Sequence, residues 1–195
     1  MTILILGLVL FLGIHSIRIF ADPWRTIQTE KMGEQKWKGV CSLLALIGFI
    51  LIIFGYGQTS PSIAIWSPPL WTWHITAALT LVAFILLAAA QVPKNGIKAK
   101  VKDPMVLGVK TWALAHLISN GSLAGIILFG SFLIWAILDF KSCRRRRSNS
   151  LDAPTETSLM MTIATYTIGI SAWFIFALYI HQTLFGISPL GYFAH

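Results

Sequence analysis

Acidic residues are missing from every long apolar stretch of this 195-residue chain. Its seven carboxylates, Asp22, Glu30, Glu34, Asp103, Asp139, Asp152 and Glu156, fall in polar connections or at the ends of apolar runs. That argues against a carboxylate-bridged di-iron centre and against an acidic proton relay inside a bilayer. Charge of either sign is scarce, at 11% of residues, where an average soluble domain carries about a quarter. Two cysteines, Cys41 and Cys143, give no disulfide framework. The apolar start also lacks a basic segment ahead of it. Its first basic residue, Arg18, follows the run, so the start reads as a spanning helix that is retained and not as a signal peptide.

What is present is 56% apolar residues and a positive charge gathered in three blocks. The first block holds Arg18, Arg25, Lys31, Lys36 and Lys38, and the second Lys94, Lys98, Lys100, Lys102 and Lys110. Lys141 and Arg144 to Arg147 make the third. The connections between blocks, and both chain ends, carry no Lys or Arg. Cytoplasmic loops collect these residues, and a span needs about 20 apolar ones. The pattern therefore predicts an all-α polytopic membrane protein, a single domain over residues 1–195. Six transmembrane helices are expected near 2–20, 39–56, 73–92, 104–119, 123–138 and 159–185, with both termini on the non-cytoplasmic side. The net charge of +8 then belongs to topology, and no nucleic-acid partner is expected.

The connections carry their own signals. Pro68, Pro69, Trp66 and Trp71 mark the outer connection between the second and third helices. Pro104 suits a first helical turn, and Asn120-Gly121 a turn within a tight, short hairpin. Residues 141–158 read as a flexible cytoplasmic connection, its arginines a topology signal ahead of an anionic-lipid site.

With the acids excluded, histidine is the ionisable residue left within the spans. His15, His74, His116 and His181 stand on four different helices, while His195 ends the chain and carries no role. One such histidine is ordinarily bonded to a neighbouring carbonyl. Four on four helices point to a ligand set, since neutral imidazole binds haem iron and other transition metals. By depth, His74, His116 and His181 group near the outer ends, and His15 lies roughly 8 Å from the inner end of its helix. Trp112, His116 and Asn120 form one stripe of the fourth helix. Lys110, inside the same helix, either snorkels to the interface or offers a cation to a haem propionate or a polar lipid head. Thr162, Tyr166, Gly169, Trp173, Ala177 and His181 form a stripe of the sixth, suited to helix packing or to a flat apolar ligand.

Three stretches, FLGIHSIRIFADPWR at Phe11 to Arg25, DPMVLGVKTWALAH at Asp103 to His116 and HQTLFGISP at His181 to Pro189, resemble the NnrU family. The resemblance covers nearly the whole chain. It implies a bacterial inner-membrane protein associated with denitrification and nitric oxide reductase. That family is similar in turn to the 15-cis-ζ-carotene isomerases, integral membrane haem b proteins. Their histidine motifs match His15-Ser16 and the Trp-x-x-Ala-His run of Trp112 to His116. The resemblance thus implies haem b with His15 and His116 as the metal ligands, against the grouping by depth.

Two positions depart from the relatives. Ala113 replaces the isomerases' cysteine, which removes an alternative iron ligand, and Lys102-Asp103-Pro104 stands where Arg-His-Pro is common. The leading expectation is a haem-binding membrane protein acting as redox partner, nitric oxide sensor or isomerase of a carotenoid-like apolar substrate. The second is a non-catalytic accessory protein for nitric oxide reductase. A lipid methyltransferase, whose shorter motif shares this region, ranks last.

Overall fold

A computed structural model describes residues 1–59, 63–148, 156–187 and 189. Among these residues the chain forms helices and no strand, with one isolated bridge between Ala64 and Ser122. Helix α1 spans Thr2–Phe20, α2 Asp22–Met32, α3 Glu34–Gly57 and α4 Thr72–Gln91. Helix α5 spans Gly96–Val101, α6 Pro104–Ser119 and α7 Leu123–Ser148. Helix α8 runs Leu159–Phe185 with a π turn at Phe176–Ile180.

Helices α1, α3, α4, α7 and α8 are long and apolar enough to cross a membrane, as a multi-pass protein requires. The fourth predicted span exists as α6, but its 16 residues fall just below the usual length of about 17–25. Two short helices went unpredicted because both lie in the basic connections: α2, opened by Pro23 and closed at Gly33, and α5, capped by the Asn95 side chain. The predicted second span begins earlier, at Glu34. Residues 141–148 are helical, a correction to the flexible connection expected there. The expected short hairpin is corrected too, since α7 has 26 residues. Arginine is a good helix former, and Arg146 and Arg147 gain carboxylate partners in Asp139 and Asp103. Residues 149–155 of that connection lie outside the described residues.

Packing runs in the order α3, α1, α7, α6, α4, α8. In lipid no hydrophobic force drives helices together, so close backbone approach and interhelical hydrogen bonds do. Glycines supply the approach. A Cβ on Gly7 of α1 would lie 2.7 Å from Ile52 N of α3, and one on Gly48 would lie 2.8 Å from Phe11 N. Gly169 of α8 likewise meets Ile85 Cα of α4 at 2.7 Å. Threonines supply the bonds. Thr76 Oγ1 of α4 donates to Ala115 O of α6 (2.9 Å), and Trp173 Nε1 of α8 donates to Thr80 Oγ1 (3.0 Å). The connection between α3 and α4 clips onto the turn between α6 and α7, where Ile65 N donates to Gly121 O (2.8 Å) and Leu123 N to Ile63 O (2.8 Å).

Candidate functional site

The spacing of four residues puts Trp112 and His116 on one face of α6. His116 Nδ1 donates to Trp112 O at 2.9 Å. A carbonyl only accepts, so Nδ1 carries the proton and Nε2 keeps its lone pair. The imidazole stacks on Phe129 of α7, with centroids 4.6 Å apart and planes at 26°. Trp112 meets the edges of Phe129 and Phe132 at 5.2 and 5.4 Å. Outward of this pair, Tyr56 of α3 contacts Phe129 (6.4 Å) and receives a hydrogen bond from Asn120 Nδ2 (2.9 Å). Tyr56 also meets Phe185 of α8 at 6.4 Å, and Phe185 meets His181 at 5.0 Å. His116 and His181 lie within electrostatic reach of each other.

The π turn explains how His181 reaches this side. Each step of four residues along a straight α-helix overshoots a full turn by about 40°. The stripe of Gly169, Trp173, Ala177 and His181 would therefore wind off the bundle. A π turn takes up one more residue per hydrogen-bonded turn and offsets that drift. Gly169 and Ala177 are buried, and His181 is partly so. Beyond it, Gly186 adopts a left-handed conformation (φ 71°) that terminates the helix. This returns the chain so that His181 Nδ1 donates to Ile187 O at 2.8 Å.

His15 lies elsewhere along the same seam. Its Nδ1 donates to Phe11 O (2.7 Å), its ring sits 4.4 Å from Phe11, and Trp135 of α7 approaches edge-on at 5.9 Å. Phe11 touches Phe132 at 5.7 Å, so an unbroken row of rings joins His15 to His116: Phe11, Phe132 and Trp112. Among the described residues the buried indole N–H of Trp135 finds no hydrogen-bond partner. His74 stands exposed in the first turn of α4, its backbone N–H bonded to Trp71 O (3.2 Å). Lys110 reaches away from the histidines' rings to Phe140 of α7, with Nζ 5.7 Å from the centroid. His195 is outside the described residues.

Of the residues singled out in the sequence, the structure gathers Trp112, His116 and His181, and links His15 to them through aromatic rings. Sequence reasoning missed Tyr56, Phe129, Phe132 and Trp135, which ring the histidines. The Phe11–His15 spacing of four was a readable signal. The others are supplied by α3 and α7, and only packing brings them in.

Among the described residues no group of three or more His, Cys, Asp or Glu could hold a metal ion. A haem asks less of the chain, because the porphyrin supplies four ligands and the protein one or two. The donors present fit it. A ligating histidine ordinarily gives its other ring N–H to a carbonyl, which fixes the tautomer. His15, His116 and His181 each do so. Aromatic rings lie against each of them, though His15 is exposed, and the Trp135 N–H offers a donor beside His15.

A search of curated proteins and one of solved structures each gave no match. The model of one family, described as NnrU protein, matches residues 3–189. The three stretches that carry the resemblance all lie in that span, and so do the histidines of the seam: the chain belongs to the NnrU family.

Proposed function

We propose that this is a haem b-binding protein of the bacterial inner membrane in which His116 supplies an axial imidazole. The observation that carries the reading is the state of His116. It is held between Trp112 and Phe129, with Nδ1–H committed to a carbonyl and Nε2 left as the ligating nitrogen. For the second ligand the family resemblance favours His15, with the same tautomer and an aromatic row between the two. The ring contacts that run from Phe129 through Tyr56 and Phe185 favour His181. Topology belongs to the same proposal: α6 also crosses the membrane, which makes six spans, and both termini face away from the cytoplasm because the Lys and Arg residues gather at one end.

When bound, haem b would supply reversible one-electron chemistry or an iron site for nitric oxide, which suits a role beside nitric oxide reductase in denitrification. The chain's own contribution is a water-poor aromatic seam and imidazoles fixed in one tautomer. Asn120 holds Tyr56 at the outer end of that seam by a hydrogen bond to its phenol oxygen. A carotenoid-like apolar substrate would pack against the same rings.

One observation favours a second reading, a non-catalytic accessory protein for the reductase. Each seam histidine already has a carbonyl partner and a packed ring, as a purely structural histidine would. A reduced-minus-oxidised spectrum of the detergent-purified protein, with a pyridine haemochrome assay, separates the two. Haem with a Soret band lost in His116→Ala supports the proposal. Loss in His15→Ala or in His181→Ala then assigns the second ligand. A preparation that stays colourless after haem reconstitution would sink the haem reading and leave the accessory role.

A further inference from the structure

We propose that Lys110, Phe140 and Arg144 form a binding site for the phosphate headgroup of an anionic phospholipid at the basic end of the bundle. The two cations come from different helices, α6 and α7, yet converge on one ring. Lys110 Nζ lies 5.7 Å and the Arg144 guanidinium 5.9 Å from the Phe140 centroid. The ring thus gathers positive charge from two helices at one place on the bundle. Among the described residues neither has a carboxylate partner, whereas Arg146 and Arg147 are committed: Arg146 approaches Asp139 and Arg147 pairs with Asp103 at 2.6 Å. Lys141, exposed one turn before Arg144, adds further positive charge. Two uncompensated cations on adjoining helices lower their mutual repulsion by binding an anion. Basic pockets between membrane helices take lipid headgroups for this reason.

The surface beneath the cations selects a lipid over a free anion. On α6, Leu114 follows Lys110 by four residues and is exposed. On α7, Ile134 and Leu138 are exposed and lead at helical spacing to Lys141. On α7 the positive charge lies near the helix end with exposed apolar residues towards its middle, and on α6 exposed Leu114 lies one turn beyond Lys110, away from the helix start. That order matches a phospholipid, head then acyl chains. The inference uses none of the histidines and stands apart from the haem proposal.

The test is lipid retention by the full chain. Native protein, Lys110→Gln/Arg144→Gln and the charge-matched Lys31→Gln/Lys36→Gln are placed in phosphatidylcholine nanodiscs containing phosphatidylglycerol. The phosphatidylglycerol kept after delipidating washes is counted by native mass spectrometry. The site variant is expected to keep several-fold less than native, and the charge-matched variant the native amount. Lys110→Arg/Arg144→Lys, which conserves both charges, is expected to keep it as well. Equal loss in both Gln pairs would reduce the effect to general basicity and overturn the site. Loss in the charge-conserving swap would also overturn it, as would displacement of the lipid by millimolar inorganic phosphate.

Discussion

Substituting alanine for Gly48 tests how this bundle is held together. The added Cβ would lie 2.8 Å from Phe11 N and 3.0 Å from Phe11 Cα. Favourable contact begins near 3.5–4.0 Å. Both obstacles are on or next to the backbone of α1, which cannot rotate aside as a side-chain tip can. Helices α1 and α3 must therefore part locally by about 0.5–1 Å, which forfeits about a quarter to a half of each contact's dispersion energy. Leu4, Leu8 and Ile52 are buried along this interface. If one side chain's worth of contacts is stretched, about 40 pairs at about 0.1–0.2 kcal/mol each, the loss is about 1–4 kcal/mol. The usual cost of overpacking a core, about 1–3 kcal/mol, falls within that range. Alanine also gains about 1 kcal/mol of helix propensity over glycine, so the raw effect understates the clash. Gly13 supplies the control, because its Cβ would meet nothing within 4 Å. The propensity gain is common to both variants, so their difference isolates packing. Unfolding by SDS titration in mixed micelles, followed by circular dichroism, should place Gly48→Ala about 1–3 kcal/mol below Gly13→Ala. Equal stabilities would refute the claim that glycine contact, and not apolar surface in general, joins these two helices.

Other expectations follow from single contacts. Thr76→Val removes the bond to Ala115 O that ties α4 to the turn carrying His116. It should cost about 0.6–1 kcal/mol in the same titration, and Trp173→Phe should cost a similar amount by releasing Thr80. Gly121→Ala drives a Cβ into the Trp66 carbonyl, so it should unclip the connection between α3 and α4. Faster proteolysis of residues 57–71 in Gly121→Ala than in native protein would register this. The Arg147–Asp103 pair is largely screened from solvent, with side chains 29% and 16% exposed. A double-mutant cycle with Arg147→Gln and Asp103→Asn should give a coupling of about 1 kcal/mol that weakens with salt. A coupling of zero would mean that α7 holds its arginine turn by helix propensity alone.

The local code alone determined much of this protein. A bilayer admits only backbone that satisfies its own hydrogen bonds, so the apolar runs near 2–20, 73–92, 123–138 and 159–185 had to be helices. His15, His74 and His181 fall on three of these runs, and His116 on the shorter run near 104–119. The inner boundaries were less legible, because polar helix and polar loop share a composition. Residues 141–148 are helical since Asp103 and Asp139 receive Arg147 and Arg146, and Asp103 stands at the N-cap of another helix, α6. Helix α2 is polar enough to pass for a loop, though Pro23 and Gly33 mark its ends. Which histidines meet was a matter of tertiary structure alone. Phe129, Tyr56 and Phe185 surround the seam from three different helices. His181 is returned to it by a π turn, which no period of 3.6 residues foretells. Helix spacing is a property of a segment, whereas the meeting of side chains depends on glycine contacts and carbonyl bonds between segments far apart in the chain.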